Sequence, residues 1–407
     1  MKYFSDCHFH ALTLAEPNFP ALASSLDDTA GNLLLANLTS DYIVTGKLFK
    51  DDNLLRTISN TLSVLDRSIG ESFLVMEEDL KGSFSRDGRR FLEGGKLHFK
   101  GEEYDRALML PLVIDFSDSP QKELQTHYSL PPKERLTAYA EATLEGIRAY
   151  YRASPDGLFE FYPFIGINPA FHSLEYLVDL LEKYVNTSHR EHERHTVPDK
   201  PFYGIKLYPP LGFDPWPDEK EEREKALYLY EFCSYYKTPI VTHTDDQGFR
   251  GVQAEKAWKY TDPLTWEHVL QRYPSLKIDF AHFGKQYALA SLGRPESIAW
   301  RRRDLPDSPW FHTITRLMAE YPGVYADLSF SGSEADFYTE LWAYLREEDR
   351  PELWDRILFG SDFPVSLLKV EAYSEYLTLW EDSPFTAEET DRIAQANALR
   401  FLGFNVT

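Results

Sequence analysis

Eight short apolar segments rich in β-branched and aromatic residues alternate with stretches of helical periodicity, and this alternation constrains the fold more than any other feature of the chain. A strand, a helix and a second strand form a unit whose strands run parallel, so repeating it builds a parallel sheet covered by helices. The strand-like segments are residues 2–10, Ala107–Phe116, Leu158–Ile167, Phe202–Tyr208, Pro239–His243, Leu276–His282, Gly323–Leu328 and Arg356–Asp362. Helical patterning occupies 133–153, 218–236, 263–272, 309–320, 334–346 and 387–402, the last stopping before Gly403. Eight such units predict an α/β fold, a (β/α)8 TIM barrel. The 407 residues exceed a simple barrel of about 250, but insertions account for such an excess within one domain, here 1–407.

Most of the excess lies after the first strand, in a long and mainly helical insertion over residues 11–105. Leu22–Leu38 and Leu54–Leu80 carry helical patterning, while Phe91–Tyr104 reads as a hairpin around Gly94-Gly95 and Gly101. Loops that follow barrel strands emerge at the catalytic face, so the insertion is expected to cap a pocket or to serve as an oligomer element. A second insert, 186–200, is polar and expected at the surface. Its His189, His192 and His195 lack the converging rigid partners that a metal needs.

Four strand segments end in ligand-type residues: KYFSDCHFH (2–10), TPIVTHTDD (238–246), LKIDFAHFG (276–284) and RILFGSDFP (356–364). Side chains at i and i+2 share one face of a strand, so His8 and His10 can grip one ion. On the same alternation Asp6 faces inward with them, and Cys7 and Phe9 point away. Imidazole and carboxylate donors suit a divalent metal, zinc before others.

With Asp6-Cys7-His8-Phe9-His10, Gly204-Ile205-Lys206-Leu207-Tyr208-Pro209-Pro210, His243, His282, Phe359-Gly360-Ser361-Asp362-Phe363-Pro364 and Asn397-Ala398-Leu399-Arg400-Phe401-Leu402-Gly403 in this order, the chain resembles the amidohydrolase superfamily. Within it, the likeness is to the amidohydrolase-related branch, which includes small aromatic acid decarboxylases and lactone hydrolases. The resemblance implies a first-strand His-x-His, a fourth-strand lysine at Lys206, histidines of the fifth and sixth strands at His243 and His282, and an eighth-strand aspartate at Asp362. His8, His10 and Asp362 are then the expected metal ligands, with His243 completing the shell. Asp362 and His282 are the expected catalytic groups for proton transfer. Lys206, Tyr208 and Arg250 are expected to bind substrate. One ion is favoured; two remain open, because some relatives carbamylate the lysine, and Lys206 with His282 would then hold a second metal.

The reading this supports is a metal-dependent hydrolase using metal-activated water on a C–N or C–O bond of a small carbonyl compound, an amide or lactone. The alternatives are a metal-dependent decarboxylase of a small aromatic or enolic carboxylic acid, and a ligand-binding barrel without turnover. A net charge of −22 opposes nucleic acid and anionic membranes as partners. No signal-peptide pattern or long apolar run is present, so a cytoplasmic protein with a small-molecule substrate is expected, self-association being left open. Cys7 and Cys233 are too few for a disulfide framework. Asp245 and Asp246, beside His243, read as solvated loop acids before acceptors that order His243. Arg301-Arg302-Arg303 reads as a surface helix end or loop.

Overall fold

The apolar segments pair side by side in sequence order. In the computed structural model, which describes residues 1–13, 52–84, 88–117, 132–188, 191–248, 250–291, 298–347 and 351–404, they form one parallel sheet. Its barrel strands are β1 (Tyr3–His10), β2 (Arg106–Leu112), β3 (Phe159–Phe161 and Phe164–Gly166), β4 (Gly204–Leu207), β5 (Ile240–Thr242), β6 (Ile278–Phe280), β7 (Val324–Asp327) and β8 (Ile357–Leu358). The third strand comes in two pieces because Pro163 has no N–H for the ladder. The chain leaving β8 returns to β1 through three backbone bonds: Cys7 N to Phe359 O (2.8 Å), Asp362 N to His8 O (2.7 Å) and His10 N to Phe363 O (2.7 Å). The last strand thereby meets the first, and Asp362 is pinned beside the two histidines.

The apolar core has two parts. Cys7, Leu108, Leu110, Leu112, Phe164, Val241, Tyr325 and Leu358 fill the barrel, while Phe4, Phe9, Ala107, Met109, Ile205, Ile240 and Ile278 pack outward against the helices. Both faces are buried, which explains the near-continuous apolar runs. Strict alternation along β1 does not hold, however. The register with β2 shifts between Asp6 and Phe9. This bulge lets Cys7 join the barrel interior, contrary to the expectation that it points away, and sends the Asp6 carboxylate to Tyr373 Oη (3.1 Å) and Ser361 N (3.0 Å). Asp6 therefore braces β1 against the outer helix Tyr373–Glu381 instead of joining His8 and His10.

The helices at 133–153, 218–236, 309–320 and 334–346 are observed as Pro132–Ala153, Lys220–Tyr236, Pro309–Glu320 and Ala335–Glu347. The stretch 263–272 is a 3-10 turn, Pro263–Trp266, leading into a short helix, Glu267–Arg272. The closing helix runs from Ala387 to Leu402 through a π-helical segment at Arg392–Asn397 and ends on Gly403 at φ 80°.

Of the first insertion, the helix expected at Leu22–Leu38 lies outside the described residues. Leu54–Leu80 resolves into helices Asp52–Leu65 and Ile69–Leu80, and Phe91–Tyr104 into a three-stranded antiparallel sheet. Phe73 stacks on Phe161 (ring centroids 4.5 Å apart), and Phe99 packs on Phe4 and Trp380, so this portion leans on the flank of the barrel. In the 186–200 insert, His192 bonds Tyr203 Oη (3.1 Å) and His195 stacks on Tyr151.

Arg302 departs from expectation. It ends an antiparallel ribbon, Tyr287–Ser291 with Ile298–Arg302, and its side chain is buried against Glu334 (3.1 Å) and Glu340 (3.0 Å). Three arginines in a row look exposed in sequence, but acidic partners far along the chain neutralise this one. No helix among the described residues is long and apolar enough to cross a membrane.

Candidate metal centre at the barrel mouth

The strand ends deliver their polar residues to one place. Asp362 Oδ1 lies 3.2 Å from His10 Nε2 and 3.7 Å from His8 Nε2, and the donor atoms of the three residues lie within 4.8 Å of one another. A second group, His8, His282 and Asp327, shares His8. His243 belongs to neither group among the described residues, but its Nδ1 lies 3.2 Å from His282 Nε2. Lys206 Nζ sits 3.4 Å from His8 Nε2, and Tyr208 stacks on His243 at 4.3 Å. Arg250 is drawn elsewhere: it donates to the Asp246 carbonyl (3.1 Å) and Gln247 Oε1 (3.2 Å) and lies over Trp258.

Hydrogen bonds assign the protons. His10 Nδ1 faces the Leu112 carbonyl (3.0 Å), which can only accept, so Nδ1 carries a hydrogen, and in the neutral ring Nε2 then holds the lone pair. His8 Nδ1 faces Asp327 Oδ2 at 2.6 Å, with the same result. His243 donates from Nε2 to the Gln247 carbonyl (3.1 Å), leaving Nδ1 bare; His282 donates from Nδ1 to the Ser329 carbonyl (3.1 Å), leaving Nε2 bare. Burial, with Lys206 nearby, drives the His8 imidazole well below its ordinary pKa and that of His243 down to about 3. Burial, with His243 and His8 close by, also drives His282 well below its usual value.

Bare nitrogens thus face an Asp362 oxygen and, in a second pair, each other. Lone pair against lone pair is repulsive unless something positive lies between, and this donor set fits a divalent cation. The orientation of each imidazole by a carboxylate or carbonyl on its far nitrogen is what a metal-binding histidine requires. Burial raises the Asp362 carboxyl pKa, opposed by the nearby Lys206, and lowers that of Lys206 to about 8, opposed by Asp327 and Asp362.

The backbone is tightly shaped here. His282, Phe283, Phe330 and Asp362 all have positive φ, between 54° and 63°, a conformation that costs free energy in any residue with a Cβ. The cavity beside the group is walled by His10, His243, His282 and Asp362, by apolar Ile114, Phe330, Val365 and Leu368, and by Tyr208 and Asp245. Asp245 and Asp246 are not solvated loop acids. Asp245 is 4% exposed, and Asp246 accepts from Tyr287 N (3.1 Å) and Gln247 Nε2 (3.0 Å).

Asp327 and Ser329 were not singled out in the sequence. Val324-Tyr325-Ala326-Asp327 has the same apolar run into an acid that marks Asp362, and that signal was there to be read.

A protein-family model described as amidohydrolase matches residues 181–404. Among solved structures, a variant of 5-carboxyvanillate decarboxylase from Novosphingobium aromaticivorans with bound manganese and 3-methoxy-4-hydroxy-5-nitrobenzoic acid is similar at TM-score 0.51 and 11% identity, over 99% of this chain and 97% of its own. An amidohydrolase from Burkholderia multivorans with bound zinc has TM-score 0.47 and 14% identity, with 100% of both chains covered. A probable 2-pyrone-4,6-dicarboxylic acid hydrolase from Acinetobacter baumannii has TM-score 0.41 and 12% identity, over 74% of this chain and 84% of its own. No curated protein matches.

Proposed function

The chain belongs to the amidohydrolase family, and on that premise we propose that it is a metal-dependent hydrolase cleaving a C–N or C–O bond of a small, uncharged carbonyl compound such as an amide or a lactone. The observation that carries this reading is the convergence of two bare imidazole nitrogens, His8 Nε2 and His10 Nε2, on Asp362 Oδ1. His8, His10 and Asp362 would hold the ion, with His243 as the next donor. Mixed nitrogen and oxygen ligands favour zinc. When bound, the cation supplies Lewis-acid polarisation of a substrate carbonyl and of a water.

The chain's own groups do the rest. Asp362, whose carboxyl pKa burial raises, takes the proton of the attacking water. His282, kept neutral by burial, accepts a hydrogen bond or a proton at Nε2. Tyr208 and the apolar wall hold the substrate and exclude water. Lys206, beneath His8 and absent from the described cavity wall, acts on the ligands' charge; carbamylated, it would with His282 serve a second ion. No Lys or Arg lines the cavity among the described residues, which favours an uncharged substrate over a free carboxylate. A role for Arg250 at the substrate would require it to leave Asp246 and Trp258.

The test is turnover of zinc-loaded protein on a panel of small amides, lactones and aromatic or enolic acids in 18O-enriched water. Label entering the product supports hydrolysis. Release of carbon dioxide without label would instead support the decarboxylase, a reading that the similar decarboxylase fold keeps in view. Asp362→Asn should abolish turnover; unchanged ligand binding and activity in that variant would favour a barrel without chemistry.

A further inference from the structure

Asp327, the last residue of β7, is fully buried, and its two oxygens are loaded unequally. Oδ1 meets three donors: His282 N–H (2.9 Å), Ser329 N–H (3.0 Å) and the Ser329 hydroxyl. Oδ2 meets His8 Nδ1 at 2.6 Å. Because the Ser329 hydroxyl gives its proton to Asp327, its oxygen is left to accept, and His282 Nδ1 lies 2.9 Å from it. His8 and His282 are therefore tied to one buried acceptor, His8 directly and His282 through its backbone N–H and through Ser329.

We propose that Asp327 is a positioning residue that fixes the tautomer of His8 and, through Ser329, the orientation of His282, so that His8 turns a bare Nε2 toward Asp362 and His282 turns one into the cavity. Lys206 Nζ, a donor, lies 3.4 Å from His8 Nε2, as a bare nitrogen there requires. On its own strand the nearby carboxylate, Asp6, meets the His8 backbone N–H (3.3 Å) and not the ring. The carboxylate at the ring comes from β7, two strands round the barrel from β1.

The unequal loading makes a sharp experiment. In Asp327→Asn the amide oxygen stays on the side of the three donors, and the NH2 group turns toward His8. A donor then faces Nδ1, and His8 must move its hydrogen to Nε2, opposite Asp362. Spectra of metal-stripped protein labelled with 15N-histidine should show His8 as the Nδ1–H tautomer in wild type and as the Nε2–H tautomer in Asp327→Asn. Zinc titrated into the stripped variant should bind about 10–100-fold more weakly than to wild type. Ser329→Ala removes the longer contact of the Ser329 hydroxyl with His8 Nδ1 (3.1 Å) but keeps the 2.6 Å Asp327–His8 bond, and should leave the His8 tautomer and zinc affinity unchanged, which separates positioning by Asp327 from general loosening of the site. An Nε2–H tautomer for His8 in wild type overturns the proposal whether or not the variant folds, as does an unshifted tautomer in a folded Asp327→Asn. The zinc readout rests on the function proposed above, whereas the tautomer readout does not. Wild type that binds no zinc would sink that function and leave this inference standing on the spectra.

Discussion

Replacing Glu334 with glutamine removes a carboxylate shared by two buried cations. Its Oε1 accepts from Lys285 Nζ (3.0 Å) and its Oε2 from Arg302 Nε (3.1 Å), and those side chains are 0% and 3% exposed. Burial alone would raise the Glu334 carboxyl pKa, but Lys285 and Arg302 overcome it and hold the group at about 2, down from its ordinary 4.5. At ~1.4 kcal/mol per pKa unit this corresponds to roughly 3.4 kcal/mol of folded-state stabilisation at neutral pH. The side chain is 29% exposed, so solvent screening trims the figure to about 2–3 kcal/mol. Breaking a buried pair by removing one partner typically costs about 3–5 kcal/mol, an upper bound here because Arg302 keeps Glu340 and Lys285 keeps the Phe330 ring at 4.5 Å. Urea unfolding followed by tryptophan fluorescence should place Glu334→Gln about 2–3 kcal/mol below wild type at pH 7. The sign with pH follows from a depressed folded-state pKa: the contribution is complete above about pH 5 and drains away as pH falls toward 2. Near pH 3.5 the gap between the two proteins should have narrowed by roughly 1 kcal/mol. A gap under about 1 kcal/mol at pH 7, or one that widens in acid, would refute this account of the pair. Since Phe330 walls the cavity beneath Lys285, the same variant should also weaken binding of any substrate found.

Two further substitutions probe how the barrel holds its mouth in shape. A Cβ on Gly360 would lie 2.6 Å from His8 Cβ and 3.2 Å from His8 N, so Gly360→Ala should displace His8 and lower zinc affinity by about tenfold or more by calorimetry, while circular dichroism still reports a folded barrel. Asp79, from the insertion, accepts from Ser374 N (2.7 Å) and Ser374 Oγ (2.9 Å) at the start of the helix Tyr373–Glu381; Asp79→Ala should cost about 1–2 kcal/mol in urea melts and leave zinc affinity intact.

The strand-end residues were legible because a barrel needs its working groups at the ends of several strands, and an apolar run into His or Asp marks such an end. His8, His10, His243, His282 and Asp362 all carry that mark; the last four wall the cavity, and His8 lies 3.7 Å from Asp362. The hairpin at Phe91–Tyr104 was legible for a similar local reason, since Gly94, Gly95 and Gly101 adopt the positive φ that its turns require. Asp6 was misplaced because a period of two describes a regular strand, and the bulge in β1 is a feature of its pairing with β2. Arg302 was misjudged because its partners Glu334 and Glu340 lie dozens of residues away.

From its own pattern, then, the chain determined the alternation of elements, the barrel and the kind of residue at each strand end, because these depend on side chains close in sequence. Tertiary structure alone decided which way each end residue turns, which nitrogen of each histidine keeps its proton, and that Asp327 ties β1 to β6. Those outcomes depend on which acceptors from other strands stand opposite. Periodicity along one strand carries no information about its neighbours.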